Sequence, residues 1–386
     1  METEKLYYEN PRLAAFQAEV QECIERENGW DIVLDRTAFY PEGGGQPSDE
    51  GTLARYDVLD VQEKDGVIYH RLEKPLLPGE KVMGSIDMAR RIDYMQQHTA
   101  DHILTGVIHK RYGFDNVGFH MSHDSTFIDF NGMLSEGELV EMEKVANEVV
   151  FLDLPVEVSW PEPEKLLTMA YRSKKAIDGP VRIVSIKGVD TCACCGTHMN
   201  RTGEVGTIKI LSTAKVRGGV RVEYVAGRRA YAYFDAIQLQ NTLVSRSLSA
   251  EPLHTAAAVR RLLEEREHQQ ERIAQLEREH IKDMAEKLRD MGDALVFEED
   301  LDGDSVRRLA NAIKETCGGK AMVFSGKDGE GYQYAIAVKE GGDLREFIGN
   351  MNEVLSGRGG GREAYFMQGS VKADRAAIEE YLQHRK

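Results

Sequence analysis

The segment QQHTADHILTGVIHK, residues 96–110, sets His98 and His102 four residues apart in a run of helical spacing. Side chains at i and i+4 lie about 5–6 Å apart on one helical face, so two imidazoles there can reach a single ion. Such pairs also occur on helices that bind nothing, and alone this one decides little. A second short-range pair stands in VDTCACCGTHMNRTGEVG, where Cys194 and His198 share a turn-like, glycine-containing segment. Three imidazoles and a thiolate form a borderline-soft donor set that suits Zn2+ better than Mg2+ or Ca2+. Cys192 and Cys195 flank Cys194, and either stays open as the thiolate ligand. The zinc would be either a closed four-ligand staple or an ion with one position for water or substrate. A metalloprotease centre is disfavoured, because Thr99 occupies the place where that motif carries its glutamate base.

The elements that must position these groups follow from patterning. Residues 1–90 read as β-rich: WDIVLDRTAFYP and ARYDVLDVQEKDGVIYHRLE are short β-prone runs between Gly, Pro and Asp punctuation. Their spacing predicts a small barrel or sandwich. Helical spacing begins near residue 90, with Tyr94, Ile103, Leu104, Val107 and Ile108 as an apolar stripe. A second helix is expected over SEGELVEMEKVANEVVFLD, with Ser135 as its N-cap. Strands resume at VRIVSIKG, VGTIKILSTAKV and VRVEYVAG, which makes residues 91–230 α+β. From residue 231 to 292 the chain reads as helical, ending in a long charged helix closed by Gly292. Its apolar positions slip out of heptad register between Leu276 and Ile281, which argues for an antiparallel helical hairpin over a parallel coiled coil. Residues 293–386 read as a last small α/β unit, with a helix at DSVRRLANAIKE, strands KAMVFSG and YQYAIAVKE, a glycine-rich loop SGRGGGREAYFMQGS and a closing helix.

Bulk properties bound the function classes. With 386 residues, two to four folded units are expected. A net charge of −16, from 49 basic and 65 acidic residues, argues against non-specific adhesion to nucleic acid or membrane, though a local basic patch can still hold RNA. No apolar run approaches the roughly 20 residues of a membrane span. The N-terminal METEKLYYENPRLAAF lacks signal-peptide character, so cytoplasmic residence is expected. The crowding of Cys192, Cys194 and Cys195 suits a metal or a reactive thiol, not a disulfide framework.

Three stretches coincide with one family. RTAFYPEGGGQPSDEG (36–51), HTADH (98–102) and CCGTH (194–198) resemble the editing domain of alanyl-tRNA synthetases, and still more its free-standing relatives, the alanyl-tRNA editing proteins of the AlaX type in their long form. VRVEYVAGRRA (220–230) matches the end of that domain, and residues 293–386 resemble the C-terminal domain shared with DHH-type phosphoesterases. The resemblance implies an α+β protein in four parts. These are an N-terminal β-barrel with the glycine-rich motif (1–90), a zinc-binding editing domain (91–230), a helical hairpin linker (231–292) and a C-terminal tRNA-binding or dimerisation domain (293–386). It implies a trans-editing hydrolase that deacylates tRNA(Ala) mischarged with serine, or with glycine, without charging tRNA itself. His98, His102, Cys194 and His198 take the zinc positions, Thr37 a pocket-lining position linked to serine discrimination, and Gln46 the glutamine of the glycine-rich motif. The family usually reads Cys-Gly-Gly-Thr-His, and here Cys195 replaces the first glycine.

Serine and alanine differ by one oxygen, so selectivity calls for a hydroxyl-sensing group such as Thr37 or the Gln46 amide. Gly43, Gly44 and Gly45 permit close approach of a ligand, or serve a tight turn. Lys215, Arg217, Arg221, Arg228 and Arg229 cluster around Gly218–Gly219, and Arg358 and Arg362 flank the C-terminal glycines; Arg217, Arg221, Arg358 and Arg362 are the expected tRNA contacts. A homodimer through the C-terminal region is a further expectation. The reading from a different class is a non-catalytic RNA-binding or dimerisation protein with a structural zinc.

Overall fold

The computed structural model describes residues 2–173 and 179–383. The chain divides into two compact units, Met1–Leu243 and Val244–Lys386.

In the first unit a seven-stranded antiparallel sheet curls into a nearly closed barrel. Its order is Tyr56–Val58, Gly51–Leu53, Lys81–Ile86, Ala15–Arg26, Gly29–Leu34, Val67–Leu72, Asp60–Lys64. The long strand Ala15–Arg26 turns the corner. Residues 15–19 pair with Lys81–Ile86, the register shifts between Val20 and Glu22, and the rest pairs with Gly29–Leu34. A bulge at such a bend is how a sheet curls without losing its ladder. Strict alternation in Val67–Leu72 and Lys81–Ile86 puts Ile68, Leu72, Val82 and Ile86 in the barrel core with Phe16, Ile32 and Leu53.

The barrel hands the chain to a 25-residue helix, Met88–Tyr112. The Asp87 carboxylate accepts from the amides of Ala89 and Arg90, and Gly113 ends the helix at φ +72° with His109, Lys110 and Arg111 in the last turn. Almost every residue from Tyr94 to Ile108 is buried, so this helix is an axle enclosed on all sides. It packs in a second core with the sheet Asn116–Met121, Thr126–Phe130, Gly219–Ala226, Ile208–Val216 and with the helix Glu136–Phe151. Ser135 caps that helix in a reciprocal box with Glu138, as its sequence predicts. A three-stranded sheet, Val156–Ser159, Ile183–Ile186 and Asp190–Ala193, completes the unit.

The helix Gly227–Ser247 leads to the loop 248–254, and the charged stretch is one continuous helix, Thr255–Lys287. It stops five residues before the expected Gly292, which at φ +81° opens the next strand. The second unit holds a five-stranded sheet ordered Gly292–Glu298, Gly318–Lys327, Gly331–Ala337, Phe366–Val371, Arg358–Gly360. Period-two alternation splits its core. Met322, Phe324, Tyr334 and Ile336 face one cluster, while Ala321, Val323, Ala335 and Ala337 face the helix Gly303–Thr316 in another. The expected glycine-rich loop is in part an edge strand. Gly359 pairs with Gly369, and a Cβ on Gly359 would lie 2.6 Å from the Tyr334 hydroxyl, so that glycine serves close strand packing.

Candidate metal centre

His98 and His102 project from the axle helix towards the turn after strand Asp190–Ala193, and the two segments are stitched together by ordinary hydrogen bonds. Thr99, standing where a protease would keep its glutamate, donates to the Met95 carbonyl and accepts from the Met199 amide at 2.9 Å. The buried Arg182 donates to the carbonyls of Cys194 (2.7 Å) and Gly196 (3.0 Å), clamping the turn from the other side. Gly196 is obligatory here, because a Cβ would fall 2.1 Å from Cε1 of His98.

The result is a buried cluster of His98, His102, Cys194 and His198, with donor atoms within 4.8 Å of one another. Cys194 Sγ lies 3.4 Å from His98 Nε2 and 3.5 Å from His198 Nε2. Tetrahedral bonds of about 2.0–2.3 Å would put neighbouring donors about 3.3–3.7 Å apart, so the set fits one zinc-sized ion. The other ring nitrogens are already engaged on the helix histidines. Nδ1 of His98 donates to Gln46 Oε1 (2.9 Å) and Nδ1 of His102 to Asp190 Oδ2 (2.8 Å). That fixes both tautomers with the Nε2 lone pair turned inward, as metal-binding histidines require. His102 Nε2 is buried with no hydrogen-bond partner, and an inward lone pair of this kind suits a metal cation.

The electrostatics agree. Burial alone would push the Cys194 thiol up, but the imidazoles of His98 and His198 hold it well below the ordinary thiol range. Burial likewise opposes a charge on Asp190, yet His102 and Arg172 outweigh it and bring its carboxyl down to about 2. Arg172 grips Asp190 through both Nε and Nη2 at 2.8 Å.

Of the residues expected from sequence, the structure brings Gln46 to the cluster. Besides holding His98, its amide donates to Thr197 Oγ1 at 2.9 Å. Cys194 is the cysteine in the four-residue set; Cys192 belongs to a neighbouring group with His102 and Asp190, and Cys195 is exposed. Gly43 and Gln46 close a tight turn whose central Gly44 and Gly45 take φ +62° and +86°. Gly45 lies against Phe119, whose carbonyl a Cβ would meet at 2.5 Å, and the Phe119 ring stacks on His98 at 4.9 Å. Thr37 is wholly buried in the barrel, its hydroxyl 2.8 Å from His70 Nε2 and accepting from the Phe39 amide. Arg217 is exposed at the tip of the hairpin Ile208–Val216/Gly219–Ala226, and Arg221 is committed to a bidentate pair with Asp129. Arg229 is tied to Asp93 and to the Ser122 carbonyl. In the second unit Arg358 is exposed on the edge strand, while Arg362 lines a cleft of about 610 Å³ with Arg307, Arg308 and Lys314.

Sequence reasoning missed Asp190, Arg172, Phe119 and Arg182. An aspartate opening the cysteine segment, an arginine in the β-prone run VRIVSIKG and another in the irregular stretch before it carry no local sign of their partners. Next to His198 a cleft of about 330 Å³ opens, lined also by Tyr8, Trp160, Arg182 and Asn200.

The chain is similar in sequence to known proteins over most of its length. Residues 181–222 match the threonyl and alanyl tRNA synthetase second additional domain, residues 2–90 a model of class II (A) tRNA synthetases, and residues 281–384 the DHHA1 domain. The chain is 36% identical over 369 residues to the alanine–tRNA ligase of Natronomonas pharaonis, a match covering 89% of this chain and 39% of the ligase. For the ligase of Halorubrum lacusprofundi the identity is 33%, with 93% and 41% covered. The Methanopyrus kandleri ligase is 32% identical, with 97% and 43% covered. The chain thus spans about two fifths of the length of the curated relatives it matches. The C-Ala domain of Aquifex aeolicus alanyl-tRNA synthetase is 24% identical with a TM-score of 0.22, covering 24% of this chain and 87% of that one.

Proposed function

Since the chain is an alanyl-tRNA-synthetase-related protein of the editing and C-terminal kind, we propose that it is a hydrolase acting in trans on tRNA(Ala) mischarged with serine or glycine. The observation that carries this reading is the buried His98–His102–Cys194–His198 set beside an open cleft. The donor set suits Zn2+, which when bound supplies Lewis-acid polarisation of an ester carbonyl or of water. The chain's own residues do the remaining work. Gln46 and Asp190 hold two imidazoles in the ligating tautomer, and Arg182 fixes the turn carrying the other two donors. An ester between an amino acid and ribose is intrinsically labile, so positioning it against water supplies much of what the reaction needs.

Serine is read by Thr37 and Gln46. His70 Nδ1 donates to the Ile32 carbonyl, so its Nε2 accepts the Thr37 proton and the Phe39 amide donates to the same oxygen. Buried in this way, Thr37 would meet a substrate hydroxyl with its one remaining lone pair only where the barrel wall opens to the bound ester. Gln46 keeps one free N–H after its bond to Thr197. A polar pocket built for such contacts discriminates more steeply than an apolar one. The tRNA body would be held by Arg217 and Arg221 of the first unit and Arg358 and Arg362 of the second, within the cytoplasm.

A second reading has its own observation. Four protein donors are also what a closed structural zinc needs, which would suit a non-catalytic RNA-binding or dimerising protein. Zinc-loaded protein is incubated separately with Ser-tRNA(Ala) and Ala-tRNA(Ala) while release of each amino acid is followed. Rapid loss of serine with alanine largely retained is expected; intact Ser-tRNA(Ala) sinks the hydrolase and leaves the structural zinc. An aminoacylation assay with ATP, alanine and tRNA(Ala) tests the expected lack of charging.

A further inference from the structure

The cleft of about 330 Å³ next to His198 falls at the small end of the roughly 300–1,000 Å³ of small-molecule pockets, room for one compact group and not for a folded partner. Its walls are unusual for idle surface. Trp160 remains 51% exposed although its ring meets Tyr8 edge-on at 5.7 Å, and the Tyr8 hydroxyl is held by the Cys195 carbonyl at 3.1 Å. The guanidinium of Arg182 lies 4.8 Å from the centre of the Tyr8 ring. One aromatic face is thus left open while its neighbours are locked.

Two buried polar atoms on this lining have no partner, Nε of Arg182 and Nδ1 of His198. With His198 Nε2 turned to the cluster, both orphans are N–H donors, and a buried donor left unpaired costs about 1–3 kcal/mol. A ligand with a flat π-face and an acceptor oxygen or nitrogen turned to Arg182 and His198 would match this lining. Glu9 and Arg182 on the same lining offset one another in charge, which suits an uncharged group with acceptor atoms better than a phosphate.

We propose that this cleft receives the 3′-terminal nucleoside of the RNA, its base stacked on Trp160 and its sugar turned to Arg182 and His198, which would set the ester beside the metal cluster. The assignment rests on the hydrolase reading and adds to it a base-binding residue.

The full-length chain tests it in two ways. The sequence holds two tryptophans, so Trp30→Phe leaves Trp160 as the sole indole emitter. Saturable quenching of that emission by adenosine bearing a non-hydrolysable 3′-serylamide is expected. In parallel, Trp160→Ala should raise KM for Ser-tRNA(Ala) roughly 5- to 150-fold, the range for losing one base–aromatic stack, with kcat within about twofold. Trp160→Phe, which keeps a stacking face, should restore most of the affinity. Deacylation with no quenching and an unchanged KM in Trp160→Ala overturns the assignment and leaves the hydrolase standing. Quenching by a protein that releases no serine supports the nucleoside site and removes the hydrolase; neither quenching nor hydrolysis overturns both.

Discussion

Asp190 and Gln46 reach the helix histidines from the far side of the imidazole rings, one from a strand and the other from the barrel's glycine turn. Each removes the choice of tautomer, so the lone pairs meet at one point before any ion arrives. Asp190 does this with a carboxylate that Arg172 holds at two points, so its oxygen cannot swing away from His102. Replacing it by asparagine keeps the shape, removes the charge and slackens both grips. Asp190→Asn should weaken metal affinity about 10- to 100-fold, measured by competition with a chromogenic chelator. An unaltered affinity would mean that His102 is oriented by packing alone. Gln46→Ala acts on the other histidine and the other segment, and should weaken affinity by an independent factor.

One buried ion pair joins the barrel to the axle helix. Arg91 and Asp49 are both wholly buried and hydrogen-bonded to each other. Arg91 also donates to the carbonyls of Pro11 and Ala38, and Asp49 accepts from the Tyr40 amide. This satisfied network sets the first turn of Met88–Tyr112 against the strand-to-turn segment that carries Gln46. Arg91→Met strands a carboxylate in the interior and should cost about 3–5 kcal/mol in urea unfolding, whereas Arg91→Met with Asp49→Leu should recover most of that loss. A double variant as unstable as the single one would show that the carbonyl contacts, not the charge pair, hold the joint. The pair also marks where sequence reading stops. Barrel strands such as Val67–Leu72 and the helix cap Ser135 were legible because period and capping chemistry are local, whereas the Asp87 cap of the axle helix was not read from sequence. The four members of the His/Cys cluster were legible for the same reason, being two pairs at helical or turn spacing. Arg91 reads as solvent-facing charge until its partner 42 residues away is seen. Phe119, Asp190 and Arg182 lie on or beside strands whose pairing no local pattern encodes. The end of the long helix went astray too, since Gly292 suits a helix stop and a strand entry equally.

At the scale of the whole chain, the metal cluster and the cleft belong to Met1–Leu243, and Arg358, Arg362 and the larger basic cleft to Val244–Lys386. Each unit buries its own apolar clusters. Under the proposed function, chemistry and long-range RNA affinity would therefore be separable. The net charge of −16 repels a polyanion at distance, so binding must come from local cations that release counterions from the phosphates, and it must weaken as salt rises. Arg307 and Arg308 already face acids, Asp304 and Glu277, which leaves Arg358 and Arg362 as the stronger phosphate candidates. A chain ended after Ser247 should keep kcat for Ser-tRNA(Ala) within about threefold, because the ligands, Gln46, Asp190 and the cleft are all retained. Its KM should rise, and the slope of log KM against log salt should fall by about 0.9 for each phosphate that is no longer neutralised. Against a small 3′-seryl-adenosine ester, which has no tRNA body, shortened and full-length chains should be indistinguishable. An unchanged KM and salt slope for the tRNA would assign recognition to the first unit alone, with Arg217 its stronger phosphate candidate because Arg221 faces Asp129, and would free the second unit for pairing with another copy of the chain.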